Sequence, residues 1–169
     1  MNNTPFINGI RFVLLVLLQV LICNHINFLG YINPYIYIIF ILLFPVSSDT
    51  RMLFIFLSFL LGITIDIFSD SGGIHAAACV TIAYARPLIF RLAFGNLIEY
   101  QGLKLNKLSF AQRFFYFSIM IIIHHFVLFS LASFNFAQAI LVLKQTLFSS
   151  IFTLILVLVL IPLFSRKRS

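Results

Sequence analysis

Leucine, isoleucine, valine and phenylalanine follow one another in long blocks along the chain, without the alternations that half-buried elements show. Read by these runs, six helices are expected near residues 10–25, 32–46, 52–69, 74–94, 110–134 and 139–164. A bilayer crossing takes about 20 residues, so six crossings consume most of the chain and leave only short connections. The second block is the weakest crossing, because Asn33 and Pro34 open it and Pro45 closes it. The fifth has the clearest start, since Ser109 followed by Gln112 fits a capping box. The first block, led by Arg11, could mimic a secretory leader, but no small-x-small cleavage site follows it, so a retained helix is expected.

Composition narrows the class. Of 169 residues, 62% are hydrophobic and 9% charged, with a mean hydropathy of +1.13. Such a chain cannot cover a water-facing surface, so the expected fold class is an all-α, polytopic integral membrane protein, residues 1–169 forming a single transmembrane domain. The net charge of +7 does not point to nucleic acid, because the basic residues flank apolar blocks. With six crossings and a cytoplasmic N-terminus, Arg11, Arg51, Arg86, Arg91, Lys104, Lys107, Arg113, Arg166, Lys167 and Arg168 all fall inside, ten of the 11 basic residues. Both termini are therefore expected in the cytoplasm. The loop near 95–108, with Glu99, Tyr100, Lys104 and Lys107 between leucines, reads equally as an interfacial stretch or a solvated loop.

The informative residues are the polar ones inside the blocks. Asp66 stands 15 positions beyond Arg51, roughly 22 Å into a hydrocarbon core of about 30 Å. A lipid-exposed carboxylate there costs at least ~2.5 kcal/mol, so Asp66 is expected to face other helices. Ser58, Gly62 and Asp66 recur at spacing four, and small residues crowd Ala76–Ala85, so the third and fourth helices are expected to approach closely. Gly72 and Gly73 supply the turn between them. Candidate partners for Asp66 are the amino end of the fourth helix, His75 and Lys144; a protonated Asp66 is the alternative. A polar clamp between helices is favoured over a proton or ion relay. His124 and His125 point about 100° apart, which suits interhelical hydrogen bonds and not a metal pair. Gln19 reads as a packing bond. Cys23 and Cys79 lack ligand spacing and read as inert packing thiols, so neither metal nor cofactor is expected. No nucleophile elbow, HExxH or phosphate-binding loop occurs, and no enzymatic activity is expected.

Two stretches, 17–37 and 59–87, together resemble the MreD family of small bacterial rod shape-determining membrane proteins, in the version carried by Bacteroidetes. The resemblance rests on Leu18 and Gln19, on Pro34, on Gly62 and Asp66, on Gly73 with His75 to Ala78, on Tyr84, and on the Arg86-Pro87 ending. Tyr35 stands where many members carry an acidic residue. The second half agrees in length and hydropathy only. The resemblance implies a six-helix bundle similar to the substrate-binding S components of energy-coupling-factor transporters. It also implies a location in the bacterial inner membrane and no known catalysis. The implied partner is the single-pass protein MreC, and through it MreB, the RodA glycosyltransferase and a class B penicillin-binding protein. On that reading Asp66, Gly62, Gly73, His75, Gln19, Pro34 and Arg86 are structural or partner-docking candidates. The competing expectation is a small-solute or vitamin transporter subunit, which requires an outward cavity; Asp66, His75, Asn27 and Lys144 are its few polar candidates.

Overall fold

The computed structural model describes residues 4–26, 28, 30, 32–45, 50–95 and 109–164. Its helices are α1 (Thr4–Leu21), α2 (Ile38–Leu43), α3 (Arg51–Ser69), α4 (Ile74–Phe94), α5 (Phe110–Ser133) and α6 (Ala139–Phe164). Five of them, all but α2, are long and apolar enough to cross a membrane. The chain is thus an all-helical, polytopic membrane bundle. Each long helix wears its apolar residues outward as well as inward: Leu21, Met52, Ile67, Leu92, Ile122, Ile140 and Val159 are all exposed large hydrophobics. That is the surface a hydrocarbon solvent requires, since such a helix gains nothing from a polar face.

The second expected crossing differs from its expectation. In place of a helix over 32–46 there are six helical residues, reached through a non-helical stretch from Ile32 to Tyr37. Pro45 explains the second limit, forcing Phe44 to the extended angles φ −62°, ψ 128°. Pro34 disfavours helical angles only at Asn33 before it; the amides of Tyr35 and Ile36 are taken by side chains of other helices. Exposure falls to 0–2% from Tyr37 to Leu42, so this short segment is the core itself, wrapped by the long helices. Phe12 on α1 meets the Phe40 ring edge-on at 5.4 Å, and Phe44 stacks on Phe54 of α3 at 5.2 Å.

Antiparallel neighbours α3, α4, α5 and α6 pack in sequence order. Between α3 and α4 the chain reverses through Asp70, left-handed at φ 49°, and through Gly72 and Gly73 at φ 65° and 96°. The closest approach lies just below, at Gly62. A Cβ there would stand 2.4 Å from the Cα of Ala76 and 2.7 Å from the carbonyl oxygen of His75, so only glycine lets the two backbones meet. At the amino end of α5 the reciprocal cap forms, with the Gln112 amide donating to Ser109 Oγ and the Ser109 amide to Gln112 Oε1.

Arg51 begins α3 and Arg91 lies in the last turn of α4, which marks one end of the bundle as basic; the α3–α4 turn marks the other. Arg86 departs from the expectation that it is one of the flanking charges. It is 5% exposed, inside the bundle, because three buried acceptors hold its guanidinium there. Lys104, Lys107 and residues 166–168, together with the 96–108 segment, lie outside the described residues.

Candidate functional site

A broken segment inside a bilayer leaves backbone amides and carbonyls without helical partners, and each costs several kcal/mol unless something in the protein satisfies it. The intramembrane polar side chains do so one by one. Gln19 donates from Nε2 to the Pro34 carbonyl at 3.1 Å and accepts the Ile36 amide on Oε1 at 2.9 Å, replacing two missing backbone bonds with one side chain. From α6, Thr153 Oγ1 accepts the Tyr35 amide at 3.1 Å and Ser149 Oγ the Asn33 amide at 3.4 Å. At the far end of the segment, Arg86 Nη1 and Nη2 donate to the carbonyls of Phe44 and Leu42 at 2.8 and 3.1 Å, while Nε donates to Tyr116 Oη at 2.7 Å. Its guanidinium also lies 5.1 Å over the Phe54 ring. A planar fork with five donors suits this place, where a point charge would not.

Asp66 performs the same service for α4. Gly73, the residue that opens α4, has no side chain to cap it. From the preceding helix, Asp66 Oδ1 accepts the His75 amide at 3.0 Å and Oδ2 the Ala76 amide at 2.8 Å; Ser71 Oγ donates to Oδ1 at 2.5 Å. A carboxylate at a helix amino end is stabilised both by free amides and by the helix dipole. The glycine contact makes this possible, because Gly62 sits one turn before Asp66 and against the residues whose amides Asp66 binds. Among the expected partners, His75 contributes its backbone amide and not its ring, and Lys144 is exposed on α6.

The His75 ring belongs to a second cluster. Tyr37 Oη lies 2.7 Å from His75 Nδ1 and 2.9 Å from His124 Nε2, which joins the core segment to α4 and α5. Beside them Tyr35 packs its ring against His75, His124 and His125 at 5.5, 6.4 and 5.2 Å. Proton positions follow from the acceptors. His125 Nδ1 faces only the Ile121 carbonyl, at 2.8 Å, so it carries hydrogen, and Nε2 accepts from the Thr153 hydroxyl at 3.1 Å. The Thr153 hydroxyl thereby both accepts, from the Tyr35 amide, and donates. His124 Nδ1 is buried without a partner, and an orphan acceptor is better tolerated than an orphan N–H. That favours His124 Nε2–H donating to Tyr37, Tyr37 donating to His75 Nδ1, and His75 carrying its proton on Nε2.

His75 also borders a cavity of about 450 Å³ at the turn end of the bundle. Asn24, His25, Asn33, Ser69 and Ser71 supply polar wall, and Val20, Phe68 and Tyr35 apolar wall. Asn24 links α1 to α3 through a 3.0 Å bond to Ser69 Oγ. Of the polar residues expected to build a solute site, His75 alone lines this cavity; Asn27 lies outside the described residues. A second cavity of similar volume, between the adjoining ends of α5 and α6, is mainly apolar.

Sequence reasoning missed Tyr35, Tyr37, Ser149 and Thr153. Tyr37 sits in an apolar run like any core aromatic, and Thr153 is one hydroxyl among many in α6. The signal was indirect: a segment interrupted by proline must have its backbone satisfied from elsewhere. Among the described residues no group of three or more His, Cys, Asp or Glu side chains could hold a metal ion, and Cys23 and Cys79 are free and buried. No protein-family model, curated protein or solved structure matches the chain. The class is therefore set by the fold alone: a polytopic membrane bundle around a buried, interrupted segment.

Proposed function

We propose that this chain is a non-catalytic scaffold of a bacterial cell-elongation complex in the inner membrane, docking the transmembrane helix of MreC. MreB, RodA and a class B penicillin-binding protein are reached through that partner. The family resemblance motivates the assignment. The observation that supports it is how the intramembrane polar groups are used: Gln19, Asp66 and Arg86 each bind two backbone groups of a neighbouring segment. Groups so engaged make a rigid body whose remaining surface is apolar, which suits holding another helix.

On this reading the bundle has six passes, one of them broken. Tyr37 bonds to His75 and Phe44 to Arg86, positions 11 residues apart on α4, so the core segment traverses roughly 16 Å of depth. An S-component-like architecture accommodates such a pass. Placing Arg51 and Arg91 at the cytoplasmic face puts both termini inside.

Affinity co-purification tests the reading. Asp66→Leu and Gly62→Leu reduce recovery of MreC, while Cys79→Ala does not; unchanged recovery with both bulky variants counts against it. The polar cavity at the turn end favours a second reading, a small-solute subunit of a transporter, in which a membrane-associated ATPase co-purifies in place of MreC.

A further inference from the structure

The cavity at the turn end holds hydrogen-bonding capacity that the fold does not use. His75 is 5% exposed, its Nδ1 is occupied by Tyr37, and its Nε2 has no hydrogen-bond partner among the described residues. The Asn33 side-chain amide bonds the Tyr35 hydroxyl, while its carbonyl oxygen, Oδ1, is buried and unpartnered. The Ser69 hydroxyl accepts from Asn24 and retains its own hydrogen; Ser71 gives its hydrogen to Asp66 and retains its lone pairs. Unused donors and acceptors thus both occur in the lining, and a native fold does not ordinarily leave a buried carbonyl oxygen idle. The volume of about 450 Å³ lies within the range of small-molecule sites.

The lining also defines the ligand's charge. Among the described residues no Lys or Arg lines the cavity, its basic lining being His25 and His75; neither Asp66 nor Asp70 lines it, and Asp66 already accepts three hydrogen bonds, so the wall favours a neutral ligand over an anion or a cation. Tyr35 and Phe68 add flat apolar wall. Mixed donors and acceptors beside an aromatic face complement a ring that bears hydroxyl or amide groups around its edge and C–H groups on its face.

We infer that this cavity binds a neutral, hydroxyl-bearing ring of sugar type, held by His75 Nε2, Asn33 and Ser69 against Tyr35. The same chemistry is offered by a free sugar or by a glycolipid headgroup entering from the membrane surface. The inference does not depend on whether the bundle is a scaffold or a transporter subunit, and its failure leaves the MreC test intact.

The experiment uses the full chain in phosphatidylcholine nanodiscs, prepared without glycoside detergents. Thermal unfolding is recorded with N-acetylglucosamine, with monoglucosyl diacylglycerol in the disc, and with inorganic phosphate. Stabilisation by N-acetylglucosamine alone identifies a soluble ligand, by the glycolipid alone a headgroup, and by both the shared ring; each supports the site. The decisive variant is Asn33→Leu, which removes an unpartnered oxygen and leaves the Asn33 backbone bond to Ser149 in place. It also removes the Asn33 amide's bond to the Tyr35 hydroxyl, so its unfolding temperature falls below the parent's while its helical circular dichroism is unchanged, and it loses at least tenfold in affinity for the effective probe. No stabilisation by either sugar probe, equal stabilisation by phosphate, or full binding by Asn33→Leu overturns the inference.

Discussion

Replacing Gly62 with alanine adds one methyl group at the point where two backbones touch. The new Cβ would lie 2.4 Å from Ala76 Cα and 2.6 Å from its amide nitrogen, against an ordinary contact of about 3.4 Å. Either the clash persists, at a cost of about 1–3 kcal/mol or more for overpacking, or α4 retreats by ~1 Å. Retreat carries its own cost. The Asp66 bonds to the His75 and Ala76 amides, 3.0 and 2.8 Å long, would stretch beyond hydrogen-bonding range, losing roughly 1.5–3 kcal/mol each. The gain in helix propensity, up to ~1 kcal/mol, offsets only part of this. A net loss of about 3 kcal/mol lowers the unfolding temperature of a chain this size by roughly 6–12 °C. Gly9→Ala is the control, because nothing lies within 4 Å of a Cβ built there. Thermal unfolding of purified protein in detergent reads both, and Asp66→Asn combined with Gly62→Ala loses less than the two single changes added together. If Gly62→Ala melts within about 1 °C of Gly9→Ala, the close approach does not support the carboxylate cap and the reasoning fails.

Gln19→Leu leaves the Pro34 carbonyl and the Ile36 amide unsatisfied at a cost of roughly 1–3 kcal/mol each, read as a lower melting temperature; a wild-type value would mean the broken segment needs no splint. Arg86→Lys retains the charge but cannot reach Tyr116, Phe44 and Leu42 together, and destabilises by about 1–3 kcal/mol in the same assay, whereas equality with wild type would show the fork to be dispensable. Nitrogen NMR of histidine-labelled protein finds His125 protonated on Nδ1 and His124 on Nε2; the opposite tautomer at either ring refutes the proton assignment. Tyr37→Phe removes a partner from both His75 and His124 and shifts both signals while leaving His125 unmoved.

Much of the architecture was legible because lipid imposes so few solutions. Long apolar runs in a chain with 9% charge can only be helices, and α3, α4, α5 and α6 begin and end within a residue or so of where the runs and turn residues place them. Gly62 and Asp66 at spacing four marked the α3–α4 contact for the same reason. The second block misled, because hydropathy measures whether a segment tolerates oil and says nothing about whether its backbone closes its own hydrogen bonds. Arg86 misled in the opposite direction: as a cation beside an apolar run it read as an interfacial charge, and only the carbonyls of Leu42 and Phe44 reveal its use.

By itself the sequence determined the solvent of this protein and the helices that face it, since transfer of apolar side chains and helical backbone into lipid depends on local composition and length. The tertiary structure decided which polar groups meet. Gln19 reaching Pro34, Asp66 reaching the start of α4, and Tyr37 lying between His75 and His124 are bonds across 15, 10 and 87 positions. Hydrogen bonds of that kind depend on tenths of an ångström between separate helices, and no local pattern along the chain encodes such a distance.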